Sequence, residues 1–105
     1  MATNRLEALK QMVAQDEKNS FARYGLAMEY AGRGEYEEAL AHFNTLLASD
    51  QTYVAAYFHA GRALEKTGKL DKARHMYESG IQACDKTGDL HTRAEIEAAL
   101  NLLPA

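Results

Sequence analysis

The sequence predicts an all-α fold: about six antiparallel helices stacked one behind another as a solenoid. Three observations predict it. Only one proline occurs among 105 residues, Pro104, beside the C-terminal Ala105, so proline stops no helix in the body of the chain. Ala, Leu, Glu, Lys, Arg and Met dominate, and these residues lose least on entering a helix. Side-chain sizes recur every 34 residues, the mark of stacked helical pairs. No stretch alternates with period two for long enough to read as a strand.

The elements follow in order. A lone helix is expected within 1–19, opened by the capping-box pattern of Asn4 and Glu7. Ser20 is placed to cap a second helix over 20–32. Gly32 and Gly34 permit a tight turn into a third, over 35–48. Asp50 to Tyr53 carry the chain into a fourth, over 54–67, and Gly68 separates it from a fifth, over 70–84. Gly88 and Asp89 end the fifth and cap a sixth, over 89–103. Connections this short force neighbouring helices to run antiparallel.

A shift of 34 aligns Gly34 with Gly68, Ala39 with Ala73, Phe43 with Tyr77 and Leu47 with Ile81. Upstream it sets Leu9 on Phe43, Met12 on Leu46 and Asp16 on Asp50, so the first helix reads as the second member of an incomplete pair. Downstream it sets Ala60 on Ala94 and Leu64 on Ala98, so the last helix reads as the first member of another. The chain then divides, as a single domain over 1–105, into an N-terminal helix (1–19), repeats over 20–53 and 54–87, and a capping helix over 88–105.

This pattern resembles the tetratricopeptide repeat. Leu26, Ala27, Tyr30, Ala39 and Phe43 in one unit, and Tyr57, Gly61, Leu64, Ala73 and Tyr77 in the next, stand at its characteristic positions. Small residues there let helices approach and large ones fill the gaps, and such pairs bury their apolar faces only by stacking. Arg23 departs from the family's common Trp, Gln51 and Asp85 replace its closing Pro, and Ala60 is smaller than the usual Leu.

The resemblance implies a right-handed solenoid and a non-enzymatic interaction module, an adaptor or assembly factor that binds a peptide or partner helix in its concave groove. By the same resemblance Phe21, Tyr24, Met28, Tyr53, Phe58, Arg62 and Arg93 face that groove. At the positions where some members carry a Lys, Asn and Arg set that clamps acidic chaperone tails, this sequence has Tyr24, Met28, His59, Asp89 and Arg93; only Arg93 matches, so no carboxylate clamp is expected. In the last helix Leu90, Ala94 and Ala98 are expected to face the preceding repeat. Ile96, Leu100 and Leu103 then form a second apolar stripe, available for dimerisation as a self-associating structural module.

Other chemistries lack support in the sequence. A net charge of −3 gives no basic excess for phosphates. No apolar run reaches the roughly 18 residues of a membrane span, the N-terminus carries no signal-like stretch, and the single Cys84 fits a reducing compartment, so a cytoplasmic protein is expected. His42, His59, His75 and His91 form no close ligand pair. Ser20, Ser49 and Ser79 lie in no nucleophile elbow. No cofactor, metal or catalytic residue is expected.

Overall fold

The structure, a computed structural model, describes residues 2–105, with side chains from Arg5 onward. Six helices follow one another: α1 (Ala2–Gln15), α2 (Ser20–Gly32), α3 (Tyr36–Ser49), α4 (Val54–Lys66), α5 (Leu70–Thr87) and α6 (Leu90–Leu102). No strand occurs among the described residues. The pairs α2–α3 and α4–α5 pack most extensively. The first members α2, α4 and α6 also touch in succession, with α3 and α5 wedged between them from behind. The result measures 40 × 28 × 20 Å.

Small residues set the spacing. Ala39 and Ala73 are fully buried. At Gly61 even a single added Cβ would fall on the ring of Tyr77, and at Gly80 it would lie 2.7 Å from Tyr57 and 2.9 Å from Ile96. Backbones that close leave space for only a few large side chains, and Phe43, Leu46, Tyr77 and Ile96 fill it. Each such burial contributes about 1.5–3 kcal/mol.

The turns differ from the expected ones in instructive ways. α1 begins at Ala2, ahead of Asn4, whose expected capping side chain lies outside the described residues. Asn19, not Ser20, caps α2: its Oδ1 accepts from the Ala22 amide at 3.0 Å. Asn holds the non-helical cap conformation while presenting a carbonyl to the free amides, which leaves Ser20 as the first helical residue. Asp89 caps α6 in the same manner, from the Thr92 amide at 2.9 Å. Gly34, Gly68 and Gly88 all have φ of +77°, a conformation that L side chains resist.

α5 runs past its expected end at residue 84 to Thr87. Its counterpart α3 stops at Ser49 because the Asp50 carboxylate accepts from the Thr52 amide at 3.3 Å and the Thr52 hydroxyl at 2.9 Å, folding the chain into a turn. Cys84 occupies the matching place and cannot do this, so the helix continues until Gly88. The overrun adds a turn and the following loop is shorter, so α6 starts 36 residues after α4, whereas α4 starts 34 after α2.

That change of interval rotates α6. Shifted by 36, Ala60 falls on Ile96 and Leu64 on Leu100. Ile96 is fully buried, and Ala99, Leu100 and Leu103 pack on the core. Leu90 is 77% exposed, and Ala94 and Ala98 are exposed too. The two stripes of the last helix are therefore exchanged: Ile96 faces the preceding repeat fully buried, and Leu100 and Leu103, expected on a free surface, pack partly buried against the core.

Candidate functional site

The face formed by α2, α4 and α6 carries a chain of ring contacts. Tyr24 lies 5.0 Å from Tyr53, 6.3 Å from Phe43 and 6.0 Å from the edge-on ring of His59, measured between centroids. His59 meets Phe58 edge-on at 5.1 Å, and the Arg62 guanidinium lies 5.7 Å above Phe58. A cation over a ring face is attracted by the ring's quadrupole. Together these residues make a continuous ledge from α2 across α4.

The ledge is flanked by two grooves. One, of about 750 Å³, lies between α1 and α2, with Ala8 and Met12 on one wall and Phe21, Tyr24, Gly25 and Met28 on the other. The second, of about 440 Å³, lies between α4 and α6, with Phe58, Arg62 and Glu65 facing Glu95, Ala98 and Leu102. The first is mostly apolar, with Arg5 its one charged lining residue; the second mixes apolar side chains with the charges of Arg62, Glu65 and Glu95. Glu65 is held in place by the buried Tyr77, whose hydroxyl donates to Glu65 Oε2. Burial, then that bond, push the Tyr77 pKa far up, so the phenol stays protonated and the tether intact at neutral pH.

Electrostatics favour uncharged rings along the ledge. Burial, then the nearby Arg62 charge, lower the His59 pKa. Burial, then Tyr53 and Glu95, raise that of Tyr24. At neutral pH both rings are neutral and offer apolar faces with polar edges, the kind of surface that recognises polypeptides.

The structure thus brings Phe21, Tyr24, Met28, Tyr53, Phe58 and Arg62 onto one face. Phe21 is 74% exposed, Arg62 is exposed, and the others are half-buried. Arg93 does not join them. The longer interval turns it toward α5, where it pairs with Asp85 and, within α6, with Glu97 at 3.5 Å. Ala98, Leu102 and Glu95 take the groove positions on α6, and sequence reasoning missed them because it carried the 34-residue interval through the α5–α6 junction. Met12 and Ala8 were missed because α1 was read only as a packing element.

Elsewhere the reactive groups are quiet. Cys84 is buried and its thiol pKa is raised, by burial first and then by Asp89 and Asp85, so the reactive thiolate is disfavoured. Among the described residues, no group of three His, Cys, Asp or Glu side chains is placed to hold a metal ion. No helix among them is long and apolar enough to cross a membrane.

Comparison with known proteins agrees with this architecture. The tetratricopeptide repeat family profile matches residues 24–88. The chain belongs to the tetratricopeptide-repeat (TPR) family. It is 30% identical over 98 residues to the TPR repeat-containing protein PA0015 of Pseudomonas aeruginosa, covering 93% of each chain. It is similar to the solution structure of BPP2914 from Bordetella parapertussis, at 33% identity and a TM-score of 0.82, over 93% of this chain and 85% of that one. It is also similar to the second TPR domain of human RPAP3, solved in complex with the HSP70 peptide SGPTIEEVD. Identity there is 25% and the TM-score 0.74, over 89% of this chain and 76% of that one.

Proposed function

We propose that this TPR chain is a non-catalytic adaptor or assembly factor that binds a segment of another protein along the α2–α4–α6 face. The observation that carries the reading is the exposure of Phe21, which is 74% accessible beside the Tyr24–His59–Phe58 ledge. Packing between repeats does not need it, and exposed aromatic residues beside an Arg are typical anchors of protein interfaces. The peptide complex of the RPAP3 domain supports a peptide-binding role for a fold of this kind.

The ligand class differs from an acidic chaperone tail. With α6 in its observed register, His91 and Glu95 stand where α4 has Ala55 and His59, and a Glu on this face repels a terminal carboxylate. Arg62 supplies one cation, stacked on Phe58, where a clamp needs several. The test is affinity capture from native extract with the wild type, Phe21→Glu and Phe58→Glu. Both variants are expected to lose the captured protein while keeping the helical circular dichroism signal. Undiminished capture by both would remove the groove reading. Saturable calorimetric binding of SGPTIEEVD would overturn the stated ligand class.

A further inference from the structure

α1 repeats the pattern of the second helices: at intervals of 34, Leu9 falls on Phe43 and Tyr77, Met12 on Leu46 and Gly80, and Arg5 on Ala39 and Ala73. In the complete pairs these places are sealed. Leu46 is 1% exposed. Gly80 is enclosed from two sides, by Tyr57 of its own first helix and by Ile96 of the first helix that follows. Met12 has only the second kind of neighbour, α2. No described element stands where its own first helix would lie, and Met12 is 41% exposed. The apolar groove between α1 and α2 is that place.

We propose that this groove seats an amphipathic α-helix of a partner protein, antiparallel to α1, in the position that α4 takes on α5. The inference rests on the groove reading above and makes it specific as to the partner. The fold itself shows what the seat requires. In the α4–α5 pair Tyr57 lies over Gly80 and Gly61 against Tyr77. Moving up α4 therefore means moving down α5, and Glu65, one turn beyond Gly61, comes toward the level of Ala73. In α1 the place of Ala73 is held by Arg5, whose side chain is 68% exposed and pairs at 3.2 Å with Glu29. The occupant then needs an apolar stripe, a small residue at closest approach, and a carboxylate one turn further on to meet Arg5.

A second copy of this chain does not meet those needs. Its spare first helix is α6, which carries Arg93 and Glu97 where α4 carries Tyr57 and Gly61. Both are engaged in ion pairs. A charged Glu97 at the point of closest approach keeps α6 out of an apolar seat. The seat is assigned to a helix of another protein; a helix of the same polypeptide ahead of α1 would instead exclude the added peptide and overturn the assignment.

The test uses a synthetic peptide of this chain's residues 53–67, which carries α4 with Gly61 and Glu65 in the required spacing, titrated into the ¹⁵N-labelled full chain. A helix this short is marginal alone in water, and NMR reads weak binding. Saturable shifts are expected at the amides of Ala8, Met12, Gly25 and Met28. Met12→Glu in the protein should weaken binding by about tenfold, the penalty of placing an unpaired carboxylate against an apolar helix. Glu65→Lys in the peptide should also weaken it, through Arg5. Ala48→Glu, at an exposed position of α3 outside both grooves, should change affinity by less than about twofold.

Shifts confined to Phe58, Ala98 and Leu102 would overturn the helix seat while leaving the broader groove reading intact. The absence of shifts at α1 and α2, while Phe21→Glu still abolishes capture of a native partner, would do the same. A Met12-dependent dimer in light scattering that excludes the peptide would overturn the proposal in favour of a second copy.

Discussion

Gly61→Ala tests whether α4 and α5 nest as closely as the TPR register requires. In an exposed helix interior, Gly→Ala stabilises by roughly 0.5–1 kcal/mol through the unfolded chain. Here the added methyl would coincide with the Tyr77 ring, 2.6 Å from both Cδ1 and Cζ. Tyr77 has no room to move: it is fully buried and tethered through its hydroxyl to Glu65. Overpacking of this kind costs about 1–3 kcal/mol or more, so the clash outweighs the propensity gain and a net loss of about 2 kcal/mol is expected. Two internal controls separate the effects. At Gly25 the new Cβ meets only the Leu9 Cδ2 tip at 3.1 Å, which can give way; at Gly32 it meets nothing within 4 Å. Gly25→Ala should be near neutral and Gly32→Ala neutral to slightly stabilising. Urea unfolding followed by circular dichroism gives all three values, and each kcal/mol should move the thermal midpoint by about 4 °C or more in a domain of this size. Wild-type stability for Gly61→Ala would refute the close nesting from which the whole stack is built.

The register of α6 and the titrating rings give two further tests. Ile96→Ala should cost about 2–5 kcal/mol, since the side chain is fully buried. Leu102→Ala, at 84% exposure, should stay within about 0.5 kcal/mol; similar effects at both sites would remove the 36-residue register. The pKa values of His42 and His59 are lowered from 6.5, each chiefly by burial, so on acidification the unfolded state takes up protons first and stability should fall as pH drops below 6.5. The buried and half-buried tyrosines, Tyr77 foremost, are raised above 10, so the unfolded chain loses those protons first and stability should also fall above pH 10. A pH series of urea midpoints that rises on acidification between pH 6.5 and 5 would contradict the histidine assignment.

Much of the architecture was legible because it depends on side-chain volume, which the sequence states directly. Gly61 against Tyr77 needs no coordinates to be read as a small residue facing a large one 16 positions later. Phe21, Tyr24 and Phe58 were picked out by the family resemblance rather than by volume, and of the three only Phe21 stands clear of the core, for Tyr24 and Phe58 also pack against it. The hydrogen-bonded caps were less legible, because Asn19 and Ser20 are both good cap residues and only the turn geometry around Asp16 decides between them. There the Lys18 amide donates to Asp16 Oδ1 at 3.1 Å, which fixes the entry of the chain one residue before Ser20.

The hidden part of the site traces to the replacement of Asp50 by Cys84 one repeat later. Asp50 terminates α3 through its carboxylate; Cys84 has no side-chain oxygen, and α5 runs on for another turn. From that point every α6 residue turns by two positions, about 200° of helix rotation at 3.6 residues per turn. A rotation that large exchanges the inside and outside of the last helix. Arg93 leaves the groove for Asp85, and Ile96 leaves the surface for the core. Ala98, expected against the preceding repeat, and Leu102 become groove wall instead. A repeat thus transmits the identity of its core faithfully but not the phase of its terminal unit. The phase is set by one side chain at a helix end, and the composition of the α2–α4–α6 face follows from the phase.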